Sequence, residues 1–491
     1  MGVNEHLVSI MSTLDIIVFG LYMAGMIGIG LYFFRRQESE EDFYLGGRQM
    51  KSWHIGLSVV ATDVGGGFSI GLGGLGFAMG LSGSWMLFTG LLGAWLSAVF
   101  LIPRVKPLSS QFRFLTFPDF VGKAYGRNAA ILAGIISAVG YLGFTASQIL
   151  AGAKLAAAIV PEVQTTVALI VIGVIIVLYT SMGGMKAVVY TDTVQWIILM
   201  VGLILVGIPV AYTAVGGMDA IRAALPPEHL TLTAIGPVDL VNWAVTIIPI
   251  WFVAMTLYQR IYACKSVRDA RRAWYLAGLF EWPIMAFMGV ILGILGRVAA
   301  QQGLFAPMGF TDPGMMDAEM GLPLLLRTVL PAGVMGLLLS AYFSAIMSTA
   351  DSCLLAASGN VLSDILAKTG LIAGRTDRAS RFVTLTVGIA AVLLASSMTS
   401  VLDLMLHSYA FMVSGLLVPV LAIFHPRRFP PMAAIAAMLV GGCTTVGLSI
   451  IVNAELLSLP LGLDPNVFGL AASAAAFAFV AARHSGSVVT T

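Results

Sequence analysis

The chain has 491 residues, of which 58% are hydrophobic and only 10% are charged, and its net charge is +2. A soluble domain carries about 25% charged residues, so this composition excludes a soluble protein and predicts an all-α polytopic membrane protein. The apolar stretches leave no room for an attached kinase or nucleotide-binding domain, and three scattered cysteines predict no disulfide framework.

Apolar stretches near the spanning length of about 20 residues predict thirteen transmembrane helices. They fall at about 14–34, 53–79, 83–103, 130–158, 165–182, 188–213, 240–259, 273–298, 323–352, 382–399, 401–424, 432–452 and 466–482. All but four of the 26 Lys and Arg residues then lie on one side of the membrane; the four are Lys154, Arg222, Arg297 and Arg327. The positive-inside rule makes that side cytoplasmic, which places the N-terminus outside and the C-terminus inside.

The second predicted helix is unusually rich in glycine. A triple glycine, Gly65 to Gly67, follows Asp63 and Val64, and three more glycines follow by Gly74. Glycine costs about 1 kcal/mol per helical position relative to alanine, so the sequence predicts an interrupted helix whose freed carbonyls can ligate a cation. The alternative is close helix packing through small residues, although Asp63 makes packing alone less convincing.

Polar residues also occur in the sixth and seventh predicted helices. Asp192, followed by Gln195, is either a functional carboxylate or a helix cap. Pro249 lies two residues before Trp251 and predicts a second interrupted helix. Trp251 is either a solute contact or a packing and interface anchor.

Three further ionisable residues lie within predicted spans, namely Lys154, Glu281 and Asp403. Lys154 is expected either to pair with one of the two acids or to extend outward to the membrane surface. An ionisable residue inside a bilayer is a functional candidate by default, but the sequence assigns no specific role to these three.

The ninth predicted helix carries a polar stripe. At about 100° per residue, Ala345, Ser348, Thr349 and Ser352 share one face, and Asp351 lies beside that face. Hydroxyl and carboxylate oxygens at membrane depth suit a small hard cation. The alternative is that each hydroxyl bonds back to a carbonyl of its own helix.

The two predicted interruptions are five spans apart, which favours an inverted five-helix repeat with a binding site at the midplane. The predicted organisation is an extra N-terminal helix and cytoplasmic loop at 1–52, a first repeat at 53–213, an external loop at 214–239, a second repeat at 240–424, and two C-terminal helices with a tail at 425–491.

Four segments spread over the chain resemble the sodium:solute symporter family, whose members carry proline, pantothenate, sialic acid, sugars and choline. They are Glu41 to Arg48, Gly183-Gly184 to Gln195, Trp251 to Gln259-Arg260, and Met347 to Ser352. The resemblance implies a leucine-transporter-like core of two inverted five-helix repeats, with one helix before it and two after it.

The resemblance also implies sodium as the coupling ion and locates its sites. The family's main sodium site corresponds here to Ala61, Val64, Ala345, Ser348 and Thr349. A second site, found in some members, corresponds to Asp192, Ser348, Asp351 and Ser352. The Asp351 position is a hydroxyl in the sialic-acid type, so a second sodium ion or a proton remains open at this site.

The solute is less well defined. The Val64 to Gly67 run resembles the choline carriers, whereas an aspartate at position 63 resembles the proline carriers. By position, the residues expected to face the solute are Asp63, Phe68, Thr145, Gln148, Trp251 and Met255.

The predicted function is sodium-coupled symport of a small polar solute (amino acid, amine or carboxylate) across the cell's inner (plasma) membrane by alternating access. The protein is expected to act as a monomer in the lipid bilayer, without nucleic acid. Proton-coupled or uncoupled transport on the same scaffold, and a solute-binding sensor, are the alternatives. An enzyme is not expected, because no catalytic or metal-ligand spacing such as HExxH occurs among the six histidines.

Overall fold

The computed structural model describes residues 12–34, 45–63, 65–160, 164–180, 185–371 and 377–483. These ranges are almost entirely helical and contain no β-strand; Met50 and Cys264 form an isolated parallel bridge. Val64 lies outside the described residues.

The first half of the chain contains α1 Thr13–Phe34, α2 Ser52–Asp63, α3 Gly65–Met79, α4 Trp85–Leu96, α5 Phe117–Tyr125, α6 Arg127–Ile159, α7 Thr165–Thr180, α8 Met185–Gly202 and α9 Gly217–Ala224. Helix α4 continues through Ser97–Leu101 into Ile102–Phe112, and α8 continues through Leu203–Gly207 into Ile208–Ala214.

The second half contains α10 Pro237–Val253, α11 Met255–Ala263, α12 Val267–Leu279, α13 Ala286–Gln301, α14 Gly321–Val329, α15 Val334–Gly359, α16 Asp377–Ser396, α17 Val401–Ile423, α18 Pro431–Asn453 and α19 Pro465–Arg483. Phe280–Met285 connects α12 to α13, and α15 continues through Asn360–Leu366.

The apolar character of these helices confirms the predicted class. Nine helices of the described ranges are long and apolar enough to cross a membrane, and the bent pair α10 and α11 makes a tenth. Their outward faces carry large exposed hydrophobic side chains such as Leu205 and Leu393. The chain is therefore an all-α polytopic membrane protein.

Both predicted interruptions occur. Gly65 has a φ of +53°, in the left-handed region that glycine tolerates, so the helical course changes where α3 begins. The second lies at Ala254, whose ψ of 120° ends α10, and α11 continues at an angle of 44°. The bend lies one turn after Pro249, which withdraws one hydrogen bond from the helix.

The polar stripe lies on a different helix segment from the one predicted. The expected span at 323–352 is divided, because α14 ends at Val329 and α15 begins at Val334. Pro331 disfavours helix at the residue before it, and Gly333 has a φ of +85°. Ser348 and Thr349 therefore lie in the middle of a continuous helix and not near its end.

A third interruption was not predicted. Trp282, between α12 and α13, has extended angles of φ −137° and ψ 125°. Its cause is local, because Pro283 disfavours a helical conformation at the preceding residue. Glu281 lies immediately before this break and is fully buried.

The glycines of α3 also serve close packing, so the predicted interruption and the small-residue packing both occur, while cation binding by the freed carbonyls stays a prediction. A Cβ on Gly76 would lie 2.2 Å from the Val290 carbonyl oxygen, and one on Gly293 would lie 2.0 Å from the Gly73 carbonyl oxygen. Helices α3 and α13 thus touch backbone to backbone, in the manner of small-residue contacts between membrane helices.

We expect Gly293→Ala to lower the thermal unfolding midpoint, because the new methyl group would displace backbone atoms of α3. Overpacking of this kind costs about 1–3 kcal/mol. The matched control is Gly447→Ala, whose Cβ would meet no atom within 4 Å. Equal midpoints of the two purified variants would contradict the close contact between α3 and α13.

Candidate ion and solute site

Oxygen atoms from α2 and α15 meet at the first interruption. The Thr349 hydroxyl lies 2.9 Å from the Ala61 carbonyl oxygen and 3.0 Å from the Ala345 carbonyl oxygen. Its single proton serves one of these carbonyls at a time. Three oxygens from two helices thus converge at a position that is almost fully buried, and a small cation bound there would gain oxygen ligands from both helices.

Gly65 makes this convergence possible. A Cβ on Gly65 would lie 2.6 Å from the Thr349 hydroxyl oxygen and 3.0 Å from its Cγ2. A side chain at this position would therefore push α3 away from α15. Of the five residues predicted for the main sodium site, Ala61, Ala345 and Thr349 come together, whereas Ser348 points to a different partner.

That partner is Asp192, on α8. Ser348 donates a hydrogen bond to one carboxylate oxygen of Asp192, and the Ser58 hydroxyl donates to the other at 2.5 Å. Asp192 is fully buried and lies seven residues after the start of α8. The alternative that it caps this helix is therefore wrong, because a cap must lie at the first turn.

Asp351 and Asp192 lie close enough to interact electrostatically, but they have different hydrogen-bond partners. The Thr180 hydroxyl, at the end of α7, donates to Asp351 at 2.5 Å. Ser352 is buried on α15 one residue further on. The residues predicted for a second cation site thus occupy one region, with Asp192 and Ser348 in direct contact.

Arg260 holds this region together, and the sequence assigned it no role. Its guanidinium lies 3.7 Å from the Asp192 carboxylate and donates hydrogen bonds to Ser58 at 3.1 Å, to the Thr256 carbonyl at 3.3 Å and to the Thr62 hydroxyl. The predicted seventh span ends at residue 259, so the sequence placed Arg260 with the cytoplasmic basic residues, whereas the structure buries it completely.

Asp63 is the predicted solute residue that remains partly exposed. The Tyr409 hydroxyl donates to its carboxylate at 3.3 Å. The carboxyl of Glu281 is close enough to interact with it directly. Asp63 therefore presents an acidic group at the first interruption, two residues after Ala61 in the sequence.

The other predicted solute residues pack in the protein interior. Thr145 bonds to its own helix at Tyr141, Trp251 packs against Trp274 with ring centroids 6.3 Å apart, and the Met255 sulfur accepts a hydrogen bond from the Phe117 amide at 3.1 Å. These three side chains, together with Phe68 and Gln148, have exposed fractions of 0–3%.

Lys154 pairs with neither Glu281 nor Asp403, and its side chain is buried beneath a loop. Its ammonium lies 2.5 Å from Glu319 and 2.6 Å from Asp317, in the segment before α14. Glu319 in turn accepts hydrogen bonds from the Val401 and Leu402 amides at the start of α17. The expectation failed because sequence spacing did not indicate that this loop folds over the end of α6.

The chain has informative relatives. Residues 43–441 match the profile of the sodium:solute symporter family. The high-affinity proline transporter of Bacillus subtilis is 30% identical over 439 residues, which cover 86% of this chain and 89% of the relative. The sodium/glucose cotransporter of Vibrio parahaemolyticus is 26% identical over 377 residues, covering 70% and 67% respectively.

Solved structures of similar fold are also transporters. A Na⁺-coupled sialic acid symporter in a substrate-bound, outward-open state has a TM-score of 0.76 at 19% identity, covering 97% of this chain and 98% of that one. A nucleobase-cation-symport-1 family transporter has a TM-score of 0.54 at 13% identity, covering 91% and 96%.

Two interrupted helices, and buried oxygen atoms that meet where the first of them faces α15, are features of a secondary transporter. The chain belongs to the sodium:solute symporter family. It is a sodium-coupled symporter of a small organic solute in the plasma membrane and not an enzyme, which confirms the function, the coupling ion and the location predicted from the sequence.

Proposed function

We propose that this symporter binds its main sodium ion between the first interrupted helix and α15, with Ala61, Val64, Ala345, Ser348 and Thr349 as ligands. The observation that carries the proposal is the 2.9 Å approach of the Thr349 hydroxyl to the Ala61 carbonyl. A sodium ion that binds carbonyl and hydroxyl oxygens of two helices holds those helices together.

A second cation, either sodium or a proton, is assigned to Asp192, Ser348, Asp351 and Ser352. Asp192 contacts Ser58 on α2, Arg260 on α11 and Ser348 on α15. These contacts join both interrupted helices to α15. Ion binding at Thr349 and Ser348 is therefore expected to bias the position of α11, which is what coupling between ion and solute requires.

The proposed architecture has thirteen spans, with the N-terminus outside and the C-terminus inside. Its two five-helix repeats occupy 53–213 and 240–424, between an N-terminal unit at 1–52, a loop at 214–239 and a C-terminal unit at 425–491. The positions of the two interruptions support this division. The protomer is proposed to act as a monomer in the bilayer.

The solute is proposed to bind beside Asp63, at the interruption between α2 and α3, with Phe68, Thr145, Gln148, Trp251 and Met255 forming the surrounding wall. The solute is an amino acid, an amine or a carboxylate. The relatives named for proline support a nitrogen-containing solute, and the partly exposed carboxylate of Asp63 favours a positively charged group.

The test is uptake into proteoliposomes with and without an inward sodium gradient. We expect Thr349→Ala and Ser348→Ala to reduce the apparent sodium affinity by about tenfold or more, because each loses a buried oxygen worth about 1–2 kcal/mol. The control is Thr386→Ala, since the exposed Thr386 hydroxyl bonds only to its own helix at Phe382. Uptake that is unchanged without sodium would overturn the proposal.

A further inference from the structure

Glu281 is a buried acid that the sodium sites do not use. Its side chain is fully buried, and neither carboxylate oxygen has a hydrogen-bond donor among the residues the structure describes. It lies beside the break at Trp282, which frees it from a regular helical position. A buried carboxylate without a donor or a cation is strongly unfavourable, so this group requires a positively charged or proton-donating neighbour.

Asp63 is one polar neighbour of Glu281, and the two carboxyls interact directly. Space for Glu281 comes from Gly90 on α4, where a Cβ would lie 1.9 Å from one carboxylate oxygen. Two carboxyls side by side do not stabilise each other when both are charged. The pair is therefore stable when its two carboxyls share a proton or when a cation lies beside them.

The nearby basic side chain does not supply that charge. Arg260 interacts with Asp63 at a distance, but its guanidinium is fully buried and bonded to Ser58, Thr62, Thr256 and Asp192. It cannot turn toward Glu281 without abandoning the Asp192 carboxylate. A cation that reaches Asp63 through the partly exposed side of the pair would take the place of the shared proton, which is released to solvent.

Aromatic side chains surround the same carboxyls. Tyr409 bonds to Asp63, and its ring lies edge-on to Phe144 at 5.2 Å, while Phe144 stacks with Tyr141 at 6.4 Å. Both tyrosines are close enough to interact electrostatically with Asp63. Aromatic rings next to carboxylates are the surroundings that organic ammonium ions prefer.

We propose that Asp63 and Glu281 together bind the ammonium group of the transported solute, so that the solute is an organic amine with a net positive charge. Asp63 makes the direct contact from the exposed side, and Glu281 supplies the second negative charge from behind it. This inference rests on the proposed function, because it places the solute beside Asp63, adjacent to the main sodium site.

The test measures the thermal unfolding midpoint of the purified full-length protein in sodium. The probes are two cations (ethanolamine and choline), two zwitterions (proline and glycine betaine) and one anion (acetate), because ligands that bind the folded state raise its stability. We expect a cation to raise the midpoint more than either zwitterion, and acetate to have no effect. Stabilisation by neither cation, or equal stabilisation by a zwitterion, would overturn the inference.

Variants separate the role of Glu281 from general folding. Glu281→Gln and Asp63→Asn keep the side-chain shape and should weaken binding of the stabilising cation about tenfold or more, as expected for loss of a charged partner. The control is Glu228→Gln, on an exposed loop. Gly90→Ala should weaken binding similarly, because it displaces the Glu281 carboxyl without changing its charge. Wild-type affinity in both Glu281→Gln and Gly90→Ala would contradict the inference.

A sodium titration without amine keeps this outcome distinct from failure of the proposed function. Sodium alone should stabilise the wild type and Glu281→Gln but not Thr349→Ala. If sodium has no effect on the wild type, the proposed main sodium site is wrong, whereas amine selectivity and its loss in Glu281→Gln still test the carboxyl pair.

Discussion

Replacing Arg260 with methionine is expected to destabilise the protein by about 3–5 kcal/mol and to abolish sodium-driven uptake. The guanidinium is fully buried and lies 3.7 Å from the buried Asp192 carboxylate. Its removal would leave that carboxylate without a cation and the Ser58 and Thr62 hydroxyls without a common partner. Unfolding measured on the purified protein, together with uptake in proteoliposomes, checks both effects.

The control for this change is Arg268→Met, because Arg268 is exposed at the start of α12. This substitution should change the free energy of unfolding by no more than about 0.5 kcal/mol. A second comparison is the double variant Arg260→Met with Asp192→Asn. Removing both charges should recover part of the lost stability, since a neutral pair no longer leaves an ion unpaired, while uptake stays abolished. A double variant that is no more stable than Arg260→Met would show that the unpaired Asp192 carboxylate does not cause the loss of stability.

Much of the fold could be predicted because it depends on local rules. The glycines after Asp63 predicted the first interruption, since Gly65 adopts a φ that other residues avoid. Pro249 predicted the second interruption to within about one turn. The same rules, applied to Pro331 and Pro283, would have located the division between α14 and α15 and the break at Trp282, but the continuous hydrophobicity of both stretches concealed them.

The partners within the site could not be predicted in the same way. The polar stripe of α15 was visible from helical periodicity, and Thr349 does approach Ala61. The partner of Ser348, however, is Asp192, which is 156 positions away in sequence. Asp192 is shared with Arg260, on a helix whose angle depends on the bend at Ala254. Such contacts follow from how distant helices pack, and local sequence patterns carry no information about that packing.

The position of the acids illustrates the same limit. Glu281, Lys154 and Asp403 were all visible as ionisable residues in apolar segments, but their environments differ. Lys154 binds a loop, Asp403 is exposed at the start of α17, and Glu281 lies behind Asp63 in the interior. Residue type identified the candidates, and only the packing of α4 against the α12–α13 connection distinguished the one that lies next to Asp63.

Gly65→Ala is expected to reduce sodium-dependent uptake at least about tenfold although it adds only a methyl group. That methyl group would lie 2.6 Å from the Thr349 hydroxyl oxygen, and alanine would have to adopt a φ of +53°. The left-handed conformation alone costs about 1–2 kcal/mol, and relief of the contact would move Thr349 away from the Ala61 carbonyl. Because both effects act on the oxygen cluster, the apparent sodium affinity should fall more than the solute affinity.

Comparison with other variants tests whether the effect arises at the sodium site. Gly447→Ala should transport normally, because its new Cβ meets no atom within 4 Å. Combining Gly65→Ala with Thr349→Ala should be little worse than either change alone, since both damage the same set of ligands. Fully additive losses, or normal sodium dependence in Gly65→Ala, would show that the ion does not bind between the first interruption and α15.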